Sequence, residues 1–285
     1  MRGRIRFCPR PPRIIGLAPG RGALAGELNL RGLFVDDTPL LELATPLARE
    51  AGASVQIGSF GTLRILPGIE FDVTEGLGLR VGGTLLNEGV VRTADGLTGT
   101  ADAAGGGTVL NRGRLEARSG LLRLPRVRQT EGRVHLAGGA LTCLQGLELE
   151  GGELVGAGDL YADLANEGGT VSPGGDGTGT LAIGREPASG RGGAFRQGGS
   201  GQLILNVASR DRHDRVTVDK NATLGGVLEV RLAEGFIPAE GDVFTLLAWQ
   251  GVGAGAFDEV RLPALPGDRR FAVVQETQAL KLVVR

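Results

Sequence analysis

The sequence predicts an all-β protein, a right-handed parallel β-helix behind an irregular N-terminal leader. Three observations carry that prediction. Gly is abundant (51 of 285 residues) while aromatic residues make up only 4%. A chain of this length suits a stack of repeats, with aliphatic side chains inside and Gly at the corners, where φ > 0 costs it little. From about Ser59 onward, short Leu/Val/Ile runs alternate with polar residues and are broken by Gly doublets or Gly-Asp turns, as in Thr62-Leu-Arg-Ile-Leu66 and Leu203-Ile-Leu-Asn-Val207. That is the period-2 pattern of strands, and no window carries helical i, i+3, i+4 spacing. Finally, Gly82-Gly-Thr-Leu-Leu-Asn-Glu-Gly89 returns as Gly106-Gly-Thr-Val-Leu-Asn-Arg-Gly113, an offset of 24 residues. An offset of that size fits one coil of a three-sided solenoid.

Gly-rich disorder is the competing reading. Gly (51) and Pro (13) together stay below the roughly 25–30% at which low complexity becomes the better description. A hydrophobic content of 41% also supplies enough apolar surface to fold.

The chain divides into three stretches. Residues 1–30, with Pro9, Pro11, Pro12 and Pro19 among scattered Arg, read as a poorly ordered leader. Residues 31–58 read as an N-terminal cap with two alternatives. One is a short helix from Asp36-Asp37-Thr38-Pro39 through Glu50, weakened by Pro46, and the other is strand and turn. Residues 59–285 read as the β-helix. A third echo, Leu164-Ala-Asn-Glu-Gly168, keeps the Asn-x-Gly part of the repeat at a distance that is no multiple of 24, so coil lengths vary. Asn before a Gly corner can hydrogen-bond local backbone and stack on its counterparts in neighbouring coils. One of Val109 and Leu110 should point inward, and a polar substitution there should be costly.

Chemistry-bearing motifs are sparse. There is no Gly-x-Ser-x-Gly elbow, His-Glu-x-x-His helix, Cys-x-x-Cys pair or P-loop, and His135 and His213 are the only histidines. No catalytic residue, cofactor or metal site is therefore expected. Cys8 and Cys143 cannot build a disulfide framework. Arg210-Asp-Arg-His213-Asp214-Arg215 reads as a charged surface loop with Asp214 helping the turn, and not as an acid–base pair. Gly174-Gly-Asp-Gly-Thr-Gly179 offers one carboxylate where Ca²⁺ needs about 6–8 oxygens, so it reads as a corner. Gly251-Val-Gly-Ala-Gly255 lacks the βαβ context of a dinucleotide site.

Net charge is −1, with Lys220 and Lys281 the only lysines, and nothing in it points to nucleic acid. No run approaches the ~18 apolar residues of a bilayer span. Residues 112–133 hold Arg112, Arg114, Arg118, Arg123, Arg126, Arg128 and Arg133. They read mainly as a solvated wall, with contact to acidic glycan or lipopolysaccharide phosphate as the alternative. Pairs such as 112/114 and 126/128 are expected to share a face.

From Asn166 to the end the text resembles the distal passenger region of bacterial autotransporter-type β-helix proteins. The resemblance rests on Asn166-Glu-Gly-Gly-Thr-Val-Ser-Pro-Gly-Gly175, Gly179-Thr-Leu-Ala-Ile183, Phe195-Arg-Gln197 and Gly201-Gln-Leu-Ile-Leu205. It continues through Asp214-Arg-Val-Thr-Val218, Ala222-Thr-Leu-Gly-Gly-Val-Leu-Glu-Val230, Gly241-Asp-Val-Phe-Thr-Leu-Leu247 and Leu262-Pro-Ala-Leu-Pro266. It is specific over 166–285 and looser over 59–165. It implies a secreted or outer-surface bacterial stalk, structural or adhesive, whose partners are cell-surface glycans or host and matrix surfaces. Neither an export signal nor a C-terminal barrel is readable, so the expectation is a passenger portion whose translocator or anchor lies elsewhere. The competing expectation is a polysaccharide lyase or glycoside hydrolase on the same scaffold. Its carboxylates would come from Asp159 and Asp163, with Glu148, Glu150 and Glu153 one coil away.

Overall fold

The structure, a computed structural model, describes residues 13–14, 27–30, 40–44, 46, 54–74, 78–93, 95–103 and 105–285. These residues form a right-handed parallel β-helix without helices. Each coil contributes a short strand to each of three walls. The first wall is an 11-stranded parallel sheet from Arg13–Ile14 to Gly253–Gly255. At about 4.8 Å per strand it forms a column roughly 50 Å long. The second wall has nine parallel strands, from Glu70–Val73 to Glu259–Arg261. The third has nine strands beginning at Thr100–Asp102. In the earlier coils its place in the chain order is held by a three-stranded sheet of Glu27–Leu30, Ser54–Ile57 and Gly78–Val81.

In the stretch 31–58, Leu40–Leu43 and Ser54–Ile57 are strands, which is the strand-and-turn alternative at those positions. The remainder of that stretch, and most of the 1–30 leader, lie outside the described residues.

Alternation along each strand aims one side chain per coil at the axis, and register stacks these into columns. On the first wall the column runs Leu41, Leu63, Leu85, Val109, Val127, Leu147, Leu164, Phe195 and Ala222. All nine are buried. Phe71, Val91, Leu115, Val134, Leu154, Val171, Leu203 and Leu228 do the same on the second wall. Ala101, Leu122, Leu141, Leu160, Ile183, Val218 and Trp249 do so on the third. The expected parallel pairing of the two repeats is present, with Thr84–Asn87 opposite Thr108–Asn111 in register. Val109 is the inward member of its pair and is fully buried, while Leu110 is only partly covered.

The corner between the first and second walls is built from amides and glycines. Asn87 Nδ2 donates to Asn111 Oδ1 (2.7 Å), and Asn111 Nδ2 donates to Gln129 Oε1 (2.6 Å). Leu149 interrupts the column, which resumes with Asn166 Nδ2 donating to Gln197 Oε1 (3.3 Å). The same amides also donate to backbone carbonyls on the far side of the bend. Asn87 donates to Arg114 O (3.0 Å), Gln129 to Glu153 O (2.9 Å) and Gln197 to Gly225 O (2.9 Å). Asn87, Asn111, Gln129 and Asn166 have no exposed surface, so each unmade bond would leave a dry polar atom. Beside them the coils nearly touch. A Cβ on Gly113 would sit 2.2 Å from Gly89 O, and one on Gly132, at φ +67°, would sit 2.0 Å from Gly113 O. No other residue fits at either position.

Coil length varies because only the strands and this corner must repeat. Along the amide column successive positions are 24 residues apart (Asn87 to Asn111), then 18 (Asn111 to Gln129). The step from Asn166 to Gln197 is 31. The third echo, Asn166, therefore lies three coils below Asn111 in the same column.

The far end of the third wall changes character. Val243–Trp249 pairs antiparallel with Ala279–Val284, which pairs antiparallel with Phe271–Gln275. Trp249 Nε1 donates to Thr277 O (3.0 Å), and its ring occupies the space a side chain at Gly253 would need. Phe195, Ala222 and Gly253 taper as the ring enters, which keeps the interior filled.

Two substitutions test this packing by chemical denaturation. Val109→Asp should cost at least about 3 kcal/mol, because a charge would enter the dry column, whereas Leu110→Asp should cost under about 1 kcal/mol. Asn111→Leu should cost about 1–3 kcal/mol for each partner left unsatisfied, with Gln129 Oε1 foremost among them.

Candidate functional site

Much of the charge on the outer walls is paired between neighbouring coils. Arg64 bridges Glu42 (2.8 Å) on the coil before and Glu88 (2.7 Å) on the coil after. Arg92 holds Asp72 and Glu70, both at 2.7 Å. The seven arginines of 112–133 are also paired, most of them to a neighbouring coil and Arg114 to Glu116 within its own strand. Arg112 reaches Glu88 (3.8 Å), Arg114 Glu116 (2.7 Å), and Arg118 both Asp95 (3.1 Å) and Glu116 (3.0 Å). Arg123 reaches Asp102 (3.6 Å), Arg126 Glu148 (3.3 Å), Arg128 Glu150 (2.6 Å) and Arg133 Glu153 (2.6 Å).

They do not form one stripe. Arg126 and Arg128 share the outer face of the first wall, as expected. Arg112 and Arg114 do not share a face, because the chain turns at Arg112-Gly113 and Arg114 opens the second wall. Arg123 lies on the third.

Glu116 is the most enclosed of these carboxylates. Burial alone would raise its pKa, but hydrogen bonds and charge from Arg118 and Arg114 outweigh that and hold it below the ordinary carboxylate value. His135 Nδ1 lies 3.1 Å from the same carboxylate.

The Arg210–Arg215 cluster departs from a simple surface loop. Asp211 and Arg212 are exposed, but His213 and Asp214 are buried. His213 stacks edge-on against Phe244 and has Nε2 3.2 Å from Thr245 O. Burial, and then the Arg215 charge, push its pKa down, so the ring is neutral at neutral pH. Asp214 assists the turn, as expected, and does more. Its Oδ1 accepts from Gly179 N (2.7 Å), and its Oδ2 from Asn206 N (2.8 Å) and Asn206 Nδ2 (3.0 Å). One dry carboxylate thus pins the Gly174–Gly179 corner to the following coil. Burial raises its pKa against those bonds. Phe244 lies in a strand roughly 30 residues further on, so the shelter over His213 was invisible locally.

The five carboxylates of the enzyme alternative are spread around the coil. Glu148 is on the first wall, Glu150 in the corner and Glu153 on the second wall, with these three paired to arginines. Asp159 is on the third wall, and Asp163 lies in the following corner, accepting from Ala194 N (3.0 Å). Among the described residues no three His, Cys, Asp or Glu side chains are grouped to hold a metal ion. Cys143 is buried and its thiol pKa is pushed up by that burial, away from the reactive thiolate.

One concavity stands apart from the paired walls. At the corner joining the third wall to the first, a cleft of about 280 Å³ opens beneath the segment Arg185–Ala194. This segment lengthens its coil and folds on itself, with Glu186 N donating to Arg191 O (2.8 Å) and Gly190 N to Glu186 O (2.7 Å). Gly193 N donates to Ala162 O (2.8 Å) and Lys220 N to Gly193 O (2.8 Å), clamping it between two corners. Gly192, at φ +81°, presses so close to Ala162 that a Cβ would lie 2.8 Å from its backbone. The cleft is lined by Tyr161, Asp163, Glu186, Arg191 and Lys220, together with Leu144 to Gly146. Hydrogen bonding from Ser189 holds Glu186 below the ordinary carboxylate value despite its burial. Sequence reading missed this site because its charged and aromatic side chains come from three successive corners, with Leu144 to Gly146 from a fourth.

In comparisons with known proteins, no family model matches this chain, and no curated protein matches it.

Glu116 gives a pH test with a definite sign. Its lowered folded pKa means its stabilisation is present above the ordinary value near 4.5 and lost as pH falls through the folded value. Thermal midpoints should therefore fall more steeply below pH 4.5 for the parent than for Glu116→Gln, and the two curves should converge in acid.

Proposed function

We propose that the chain is a structural or adhesive module of a secreted or surface-exposed bacterial β-helix of the autotransporter passenger type, acting through its shape and lateral surface without catalysis. The observation that carries this reading is the pairing of charge along the outer walls. Arginine and carboxylate side chains are used to join one coil to the next, which suits a self-supporting rod with a polar exterior. The filled aliphatic columns support it too, since they give a rod whose stiffness does not depend on a bound ligand. The resemblance over 166–285 supports a passenger-stalk reading, and the partners it implies are cell-surface glycans or host and matrix surfaces.

Beads coated with the purified chain should be retained on glycan- or matrix-coated surfaces several-fold better than beads carrying the denatured chain. Incubation with acidic and neutral polysaccharides should release no new reducing or unsaturated ends. Chain-dependent release of such ends would overturn the reading in favour of a lyase or hydrolase.

A further inference from the structure

We propose that the cleft under Arg185–Ala194 binds a small zwitterion of the amino-acid class, taking its ammonium on Glu186 and Asp163 and its carboxylate on Lys220 and Arg191. This goes beyond the surface-module reading and does not depend on it.

Charge is handled differently on the walls and in the cleft. Along the walls, arginines such as Arg64, Arg92 and Arg128 are matched by carboxylates on adjacent coils. In the half-open cleft of about 280 Å³, buried Glu186, half-buried Lys220 and exposed Asp163 and Arg191 line one space, yet they form no ion pair with each other or with any other described residue. Arg123 acts on Glu186 only at longer range, its own partner being Asp102. Glu186 is buried and held in its charged form by Ser189, so an anion is kept in a sheltered place without a cation beside it. An enclosed charge gains most from a charge-assisted partner. Two unmatched signs in one space call for a ligand that carries both.

Size and shape agree. The volume lies at the lower end of the roughly 300–1,000 Å³ typical of small-molecule sites, which suits a free amino acid better than an extended chain. Tyr161, half-buried, offers an aromatic wall for an aliphatic side chain. The clamps from Gly193 to Ala162 and from Lys220 to Gly193 fix the backbone around the cleft, and Ser189 N (2.7 Å) and Ala194 N (3.0 Å) hold the Glu186 and Asp163 carboxylates, which lowers the ordering cost of binding.

Isothermal titration calorimetry of the full chain tests this with three probes. L-alanine carries both charges, N-acetyl-L-alanine lacks the ammonium, and L-alanine amide lacks the carboxylate. Saturable binding of L-alanine is expected, with the other two at least about tenfold weaker. Glu186→Gln should weaken L-alanine about tenfold and erase its advantage over N-acetyl-L-alanine while keeping that over the amide. Lys220→Met should do the reverse, and since Lys220 supports its neighbours through backbone, it serves if the Glu186 variant unfolds the loop. An unchanged β-type circular dichroism spectrum accompanies each variant. Absence of saturable L-alanine binding, equal binding of all three probes, or tighter binding of D-glucuronate would each overturn the proposal. Because the readout is equilibrium binding by the purified chain, its failure leaves the adhesive reading intact, and failed bead retention leaves the cleft intact.

Discussion

A parallel solenoid must turn its chain at every corner without leaving backbone polar groups dry and unpaired, and the rest of this structure depends on how that is met. At the corner between the first and second walls, side-chain amides add donors to carbonyls across the bend. Asn87, Asn111, Gln129, Asn166 and Gln197 each donate to a carbonyl across the bend, and Asn87, Asn111 and Asn166 also donate to the next amide in line. Glycines such as Gly113 and Gly132 let successive bends approach closely enough for those bonds to form. The two features are coupled, since a Cβ at the glycine would push the coils beyond amide reach.

That coupling explains why coil length is free elsewhere. Once the corner and the strands are in register, extra residues can leave at the other corners without disturbing the interior columns. The Arg185–Ala194 segment uses this freedom, and the cleft it covers is a by-product of a long coil held between two shorter contacts. The same logic confines charge to the outside, where ion pairs such as Arg64 with Glu42 and Glu88 add lateral cohesion of modest worth per pair. Burial in the columns remains the dominant stabilising term.

Much of the architecture was readable because it is periodic. The repeat at Gly82 and Gly106 predicted in-register parallel strands, and the Asn-x-Gly echo at Asn166 returned to the same column. Gln129 and Gln197 were not foreseen, although each is an amide shortly before a glycine. Their steps of 18 and 31 residues hide them from any search at a fixed period, and Leu149 breaks the run between them. His213 and Asp214 read as surface charge since their covering residues are remote in sequence. The cleft was illegible for a related reason: no local segment contains more than a few of its groups, and only coil stacking assembles them.

The central claim is that the amide-and-glycine corner is as solid a part of the structure as the strands it joins. Hydrogen–deuterium exchange resolved by mass spectrometry measures this directly. Backbone amides at 87–89, 111–113 and 129–132 should exchange as slowly as those of the flanking strands, and far more slowly than those of the exposed turn at 267–268. Corner amides that exchange as fast as that turn would contradict the account.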